Sequence, residues 1–265
     1  MKLRVLTAIV GLVVLLVPLI IGGPAFSILV AAMTIVGVLE LLRMNQIPMI
    51  SLPALLGVSA SLVLLFTGPG LERFANESTL ALLIVIFILL LLVTFFTNNR
   101  FHFGIAAFVA FSALYVGMGF HFFYAARVDM GLEYIFFVLL AIWATDTGAY
   151  LFGKRFGRNK LSPNVSPNKT IEGALVGSFW HLWSALSLAL FGHHMTCHLI
   201  TIIALIVISI AAQCGDLVES AFKRYYQVKD SGKILPGHGG VLDRFDSLFV
   251  RFSATLCSNC HFLDV

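Results

Sequence analysis

Apolar runs of bilayer length recur along this chain, and that recurrence decides most of what it can fold into. They lie near residues 5–22, 25–43, 51–68, 79–97, 103–126, 134–152, 173–192 and 198–215. A helix needs roughly 20 apolar residues to cross a hydrocarbon core of ~30 Å. Of the 265 residues, 59% are hydrophobic and only 11% are charged, against about 25% charged in a soluble domain. So few charges cannot cover a globular surface, and lipid must solvate most of the chain. The expectation is an all-α, polytopic integral membrane bundle of about eight transmembrane helices, with a ninth, short C-terminal segment as the variant count. No polar stretch between two spans is longer than residues 153–172. Residues 1–265 are therefore read as one membrane domain, with N-terminal helices over 1–133 and the polar, chemistry-bearing part over 134–265.

The opening run is longer than the roughly 7–15-residue core of a secretory signal, and no A-x-A site follows it, so it reads as a retained first span. Eight spans put both termini on one side. On that side fall Lys2, Arg4, Arg43 and Arg100, the five basic residues of 153–172 and the six after residue 215. Only Arg73 and Arg127 of the 17 lysines and arginines fall opposite. The positive-inside rule makes the crowded side cytoplasmic.

The two basic segments also hold the unusual residues. Asp146 stands inside an apolar run, six residues from its cytoplasmic end. An aspartate at mid-membrane costs about 2.5–3.5 kcal/mol on insertion scales, so such a residue is expected to face a polar cavity. Asp216, Glu219, Ser220 and Lys223 follow i, i+3, i+4, i+7 spacing and would line one helix face. Asp243 and Asp246 share a face if their segment is helical. Carboxylates on converging helices suit a hard divalent cation, with waters and substrate phosphates completing the octahedron; interfacial salt bridges with Arg224 and Arg244 are the bland alternative. Lys223, Arg224 and Lys229 interleave with these acids, a mixture that fits a metal-bridged polyphosphate better than a plain anionic-lipid anchor. In "PGHGG", Gly237, Gly239 and Gly240 let backbone amides approach an anion, and His238 can donate to a phosphate or shuttle a proton. In "SPNKT", Ser166, Lys169 and Thr170 offer hydroxyl and ammonium donors. That stretch also reads as a helix start capped by Thr170 and completed by Glu172.

Residues 220–246, "SAFKRYYQVKDSGKILPGHGGVLDRFD", resemble the signature of the phosphatidate cytidylyltransferases, also called CDP-diacylglycerol synthases. A serine is followed after two residues by Lys-Arg, after four more by Lys-Asp, then by Pro-Gly-His-Gly-Gly and Asp-Arg-x-Asp. "DTGAYLFGKRFGRNKLSPNVSPNKTIEG" is similar to the family's other recurrent segment. The resemblance implies a Mg²⁺-dependent nucleotidyltransferase of phospholipid biosynthesis in the bacterial inner membrane, multi-pass, with its N-terminus and active site cytoplasmic. It implies CTP and phosphatidic acid as substrates, CDP-diacylglycerol and pyrophosphate as products, and one or two metal ions. It implies Asp216 and Asp243 as metal-binding carboxylates with Asp246 close by, all three catalytic together with Lys223. Arg224 and Lys229 would contact phosphates, and Ser166, Lys169 and Thr170 the nucleotide or lipid phosphate. Asp146, His238, Gly239 and Gly240 complete the expected substrate-binding set. Other expected partners are membrane lipids and a second copy in a homodimer; nothing calls for nucleic acid.

Two rivals remain open at this level. A CTP-dependent kinase of a polyprenol or similar lipid alcohol would need a base for the alcohol, with Asp146 or His238 as candidates. An ion-coupled transporter would bury its ionisable groups along a pathway in repeated halves, whereas here they gather at one face.

Overall fold

In the computed structural model the described residues are 2–67, 77–163, 165–179, 183, 215, 217–232, 239–245 and 248–249, and they are almost entirely helical. Six helices lead: α1 Lys2–Ile21, α2 Gly23–Met44, α3 Leu52–Leu65, α4 Glu77–Phe96, α5 Phe103–Asp129 and α6 Gly131–Phe156. Each corresponds, in order, to one of the first six apolar runs. Among the described residues α2, α4, α5 and α6 are long and apolar enough to cross a membrane. The apolar part of α1, Leu6–Ile21, and α3 are shorter. With 14 residues, α3 rises ~21 Å, less than the ~30 Å of a hydrocarbon core. Full spans among the described residues therefore number four rather than eight, and the runs 173–192 and 198–215 lie largely outside those residues.

One departure from an all-helical chain is plain. Lys160–Ser162 (β1) and Ser166–Thr170 (β2) pair antiparallel, with Lys160 opposite Thr170 and Ser162 opposite Ser166. The segment between two helices is too polar and too interrupted by Pro163 and Pro167 to continue either helix. Pairing its backbone in a short hairpin satisfies groups that a helix cannot.

The chain divides into two compact units, Met1–Asp129 with Tyr226–Phe245, and Met130–Tyr225 with Asp246–Val265. In the first unit, α1 and α2 are joined through Gly22 and Gly23, both at positive φ (72° and 53°), where glycine carries no Cβ penalty. Arg127 of α5 donates from Nε to the Leu19 carbonyl at 2.9 Å and so caps a carbonyl that α1 leaves without an intrahelical partner. α3 lies against α5 almost backbone to backbone. A Cβ on Gly117 would stand 3.0 Å from both Cα and the carbonyl oxygen of Ser61, the close approach that small residues permit in membrane helices. Leu64 packs at the same place, its Cβ 3.1 Å from that position, and Phe26, Val30, Phe120 and Phe123 are buried in the same unit.

In the second unit, helical residues 171–179 start directly after β2. The Thr170 hydroxyl accepts the Gly173 N–H at 3.2 Å, as an N-cap should. The capping expectation holds for Thr170, but Glu172 does not close a reciprocal box. It turns to Asn159, accepting its backbone N–H at 3.1 Å and its side-chain amide at 3.2 Å. Thr170→Val keeps the shape and removes the acceptor. It is expected to lower stability by ~1 kcal/mol, seen as a lower melting temperature that Thr170→Ser restores.

Candidate active site

The signature segment folds in two places. Its end, residues 239–245, belongs to the first unit. Leu242 and Phe245 sit three apart on one helical turn, both buried. Phe245 packs its ring 5.5 Å from Phe120 and 5.8 Å from Phe123, and Leu242 lies beneath Gly37 of α2. These two anchors fix Asp243 between them at a half-buried position.

Three donors converge on Asp243 Oδ2: the N–H of Ser231 at 2.8 Å, the N–H of Gly240 at 2.9 Å and the Ser231 hydroxyl at 3.0 Å. A second carboxylate stands beside it. Glu40 of α2, only 3% exposed, accepts the Val241 N–H through Oε1 at 3.0 Å and the Leu242 N–H through Oε2 at 2.9 Å. Its Oε2 is also 3.0 Å from the Ser231 hydroxyl. That hydroxyl has one proton and two carboxylates in reach, so it links Glu40 and Asp243 while donating to one at a time.

The glycines follow from this crowding. A Cβ on Gly232 or Gly240 would collide with the Glu40 carboxylate, and on Gly240 also with the Ser231 hydroxyl. Gly239 has φ +88°, and a Cβ there would meet Asp243. The glycine pattern predicts amides turned toward an anion. Among the described residues the amides of Gly240, Val241 and Leu242 are so turned, but the anions they meet are the chain's own carboxylates; Gly237 lies outside those residues.

Sequence reasoning missed Glu40. The signal was present: it is the lone acid among the 22 residues of α2, and an ionisable residue inside an apolar span marks a functional candidate by default.

The second unit holds Asp146, Ser166, Lys169, Thr170, Lys223 and Arg224. Residues 217–225 are helical. Within them the fully buried Glu219 pairs with Lys223, 3.3 Å away at i, i+4. The next residue, Arg224, donates from Nε to the Val165 carbonyl at 3.3 Å. This contact brings the Lys-Arg pair against the turn between β1 and β2, so two segments picked out separately in the sequence meet there. Ser166 and Lys169 are half-buried on β2 and Thr170 is buried. Asp146 lies on an exposed face of α6. Hydrogen bonds, first from its own backbone N–H and then from Asn159 and Arg158, hold the Glu172 carboxyl below its ordinary range against an opposing desolvation. Its ionised form therefore supports the Asn159 link above the unfolded carboxylate range. That support is lost as pH falls through the lowered folded value.

Lys229 is exposed. Asp216, Asp246 and His238 lie outside the described residues. Among the described residues no three His, Cys, Asp or Glu side chains cluster as a metal site. Asp243 nonetheless fits a hard cation, because it is an oxygen ligand whose orientation is set by surrounding hydrogen bonds, as metal-binding carboxylates require.

Residues 2–259 match the model of the cytidylyltransferase family. A phosphatidate cytidylyltransferase of Staphylococcus haemolyticus is 43% identical over 247 residues, covering 93% of this chain and 94% of that protein. Those of Staphylococcus aureus strain COL and of Staphylococcus epidermidis strain ATCC 12228 are each 44% identical, over 250 and 248 residues, with the same coverage.

Proposed function

The chain belongs to the cytidylyltransferase family, and we propose that it transfers the CMP moiety of CTP to phosphatidic acid. The products are CDP-diacylglycerol, which stays in the membrane, and pyrophosphate. The observation that carries this reading is the filled signature at 220–246, whose Asp243 is fixed by three donors on one carboxylate oxygen.

An oxygen of the lipid phosphate forms the new bond to the α-phosphorus of CTP, and the bond from that phosphorus to the bridging oxygen breaks, releasing pyrophosphate. The attacking phosphate monoester, with a second pKa near 6, is already ionised at neutral pH. No side chain has to remove a proton. What the protein supplies is alignment and charge neutralisation. Mg²⁺, when bound, neutralises triphosphate oxygens and holds them in line. Asp216 and Asp243 are assigned as its ligands, with Asp246 adjacent in sequence to the same task. Lys223, positioned by Glu219, and Arg224 and Lys229 are assigned to phosphate oxygens. Ser166, Lys169, His238, Gly239, Gly240 and Asp146 are assigned to substrate contacts, and Thr170 to shaping the turn that presents Lys169. The charge distribution supports assigning these groups to the cytoplasmic surface of a multi-pass protein of the bacterial inner membrane, where CTP is available.

Purified protein in mixed micelles is expected to release one pyrophosphate for each phosphatidate consumed, and to stop when Mg²⁺ is chelated. Release of CDP in place of pyrophosphate would mark a lipid kinase, and turnover undiminished by chelation would remove the metal from the reading.

A further inference from the structure

We propose that Glu40 is a positioning residue for Asp243: from inside α2 it holds Ser231 and the 240–242 backbone in the arrangement that aims the Asp243 carboxylate. This inference rests on the reading of Asp243 as a cation ligand and adds a residue that lies 203 positions earlier in the chain, outside both recurrent segments.

The helical turn at 242–245 begins with amides that have no intrahelical acceptor. Asp243 reaches back to the Gly240 N–H, but it cannot also satisfy the next two amides, and Leu242 is fully buried. Glu40 takes both. Each is a charge-assisted bond when Glu40 is ionised, and an orphaned buried amide costs ~1–3 kcal/mol. Ser231 then joins the two carboxylates through one hydroxyl. A shift of Glu40 therefore moves the Ser231 hydroxyl and the 240–242 backbone, which are what orient Asp243 Oδ2. A Cβ at 232 or 240 would collide with the Glu40 carboxylate, so this arrangement requires glycine at both positions.

Glu40→Gln changes one oxygen to an NH₂ and keeps the size. The new donor must face an N–H or the Ser231 hydroxyl, so at least one of the three bonds is lost. Outer-shell changes of this kind typically lower metal affinity 10–100-fold. The test is a Mn²⁺ titration of the full-length protein without substrate, followed by electron paramagnetic resonance, with melting temperatures recorded in parallel. Wild type binds Mn²⁺ and Asp243→Asn does not; Glu40→Gln is expected to remain folded and to bind ~10-fold more weakly. Ser231→Ala, which removes the shared hydroxyl and leaves Glu40 bonded to Val241 and Leu242, is expected to weaken binding in the same direction. Ser231→Ala decides alone if Glu40→Gln does not fold. Wild-type affinity in the folded variants, with Asp243→Asn still deficient, overturns the role of Glu40 and spares the metal assignment. Undiminished binding by Asp243→Asn, or none by wild type, overturns both.

Discussion

Asp243→Asn is expected to lower turnover ~10³-fold while leaving the protein folded. The asparagine carbonyl can occupy the place of Oδ2 and keep the bonds from Ser231 and Gly240, so the loop retains its shape. What disappears is a negative charge next to the bound cation. Electrostatic stabilisation by a metal amounts to several kcal/mol in a transition state, and each 1.36 kcal/mol is tenfold in rate. The loss should therefore appear in kcat at saturating CTP, phosphatidate and Mg²⁺, with a melting temperature close to wild type. Retention of more than about a tenth of wild-type turnover would contradict the assignment of Asp243, since that is less than one such tenfold step.

Gly240→Ala is expected to be almost as damaging by a different route. Its Cβ would fall on both carboxylate oxygens of Glu40 and on the Ser231 hydroxyl. None of these can swing away freely, because Glu40 is held by two amides and Ser231 by two carboxylates. Overpacking of this sort costs ~1–3 kcal/mol, and breaking the Glu40 bonds adds to it. Stability and activity should fall together. Gly131→Ala is the control: unlike Gly240, Gly131 has a positive φ (88°), yet nothing stands within 4 Å of its added Cβ. Only the ~1–2 kcal/mol of left-handed strain applies there. Equal effects at the two positions, in melting temperature and specific activity, would show that crowding around Glu40 is not what constrains the loop.

How much of this was readable in advance depended on which force shaped each part. Helices α1 to α6 were legible because a membrane leaves the backbone little choice, and an apolar run then marks a helix directly. The length of α3 was not, since its ends are set by local caps. Ser51 accepts the Ala54 N–H at 3.4 Å to start it, and the chain turns at Phe66. The β1–β2 hairpin was illegible because its residues show none of the alternation of a half-buried strand; its two strands are joined through backbone pairing. The cap at Thr170 was legible from local chemistry. Around Asp243, the glycine at 240 signalled an amide facing an anion, but a sequence cannot show that the neighbouring amides of Val241 and Leu242 meet a carboxylate about 200 residues away. Glu40 stands one turn from the end of α2 and three residues before Arg43. At that place a lone acid looks like an interfacial ion pair, which hid its bonds to Ser231, Val241 and Leu242.

The most direct test follows the phosphorus atoms of CTP. Purified protein is given phosphatidate, Mg²⁺ and CTP labelled at either the α- or the γ-phosphorus. A cytidylyltransferase carries the α label into the lipid fraction and leaves the γ label in pyrophosphate. Appearance of the γ label in lipid, with the α label remaining in soluble CDP, would contradict the proposed reaction.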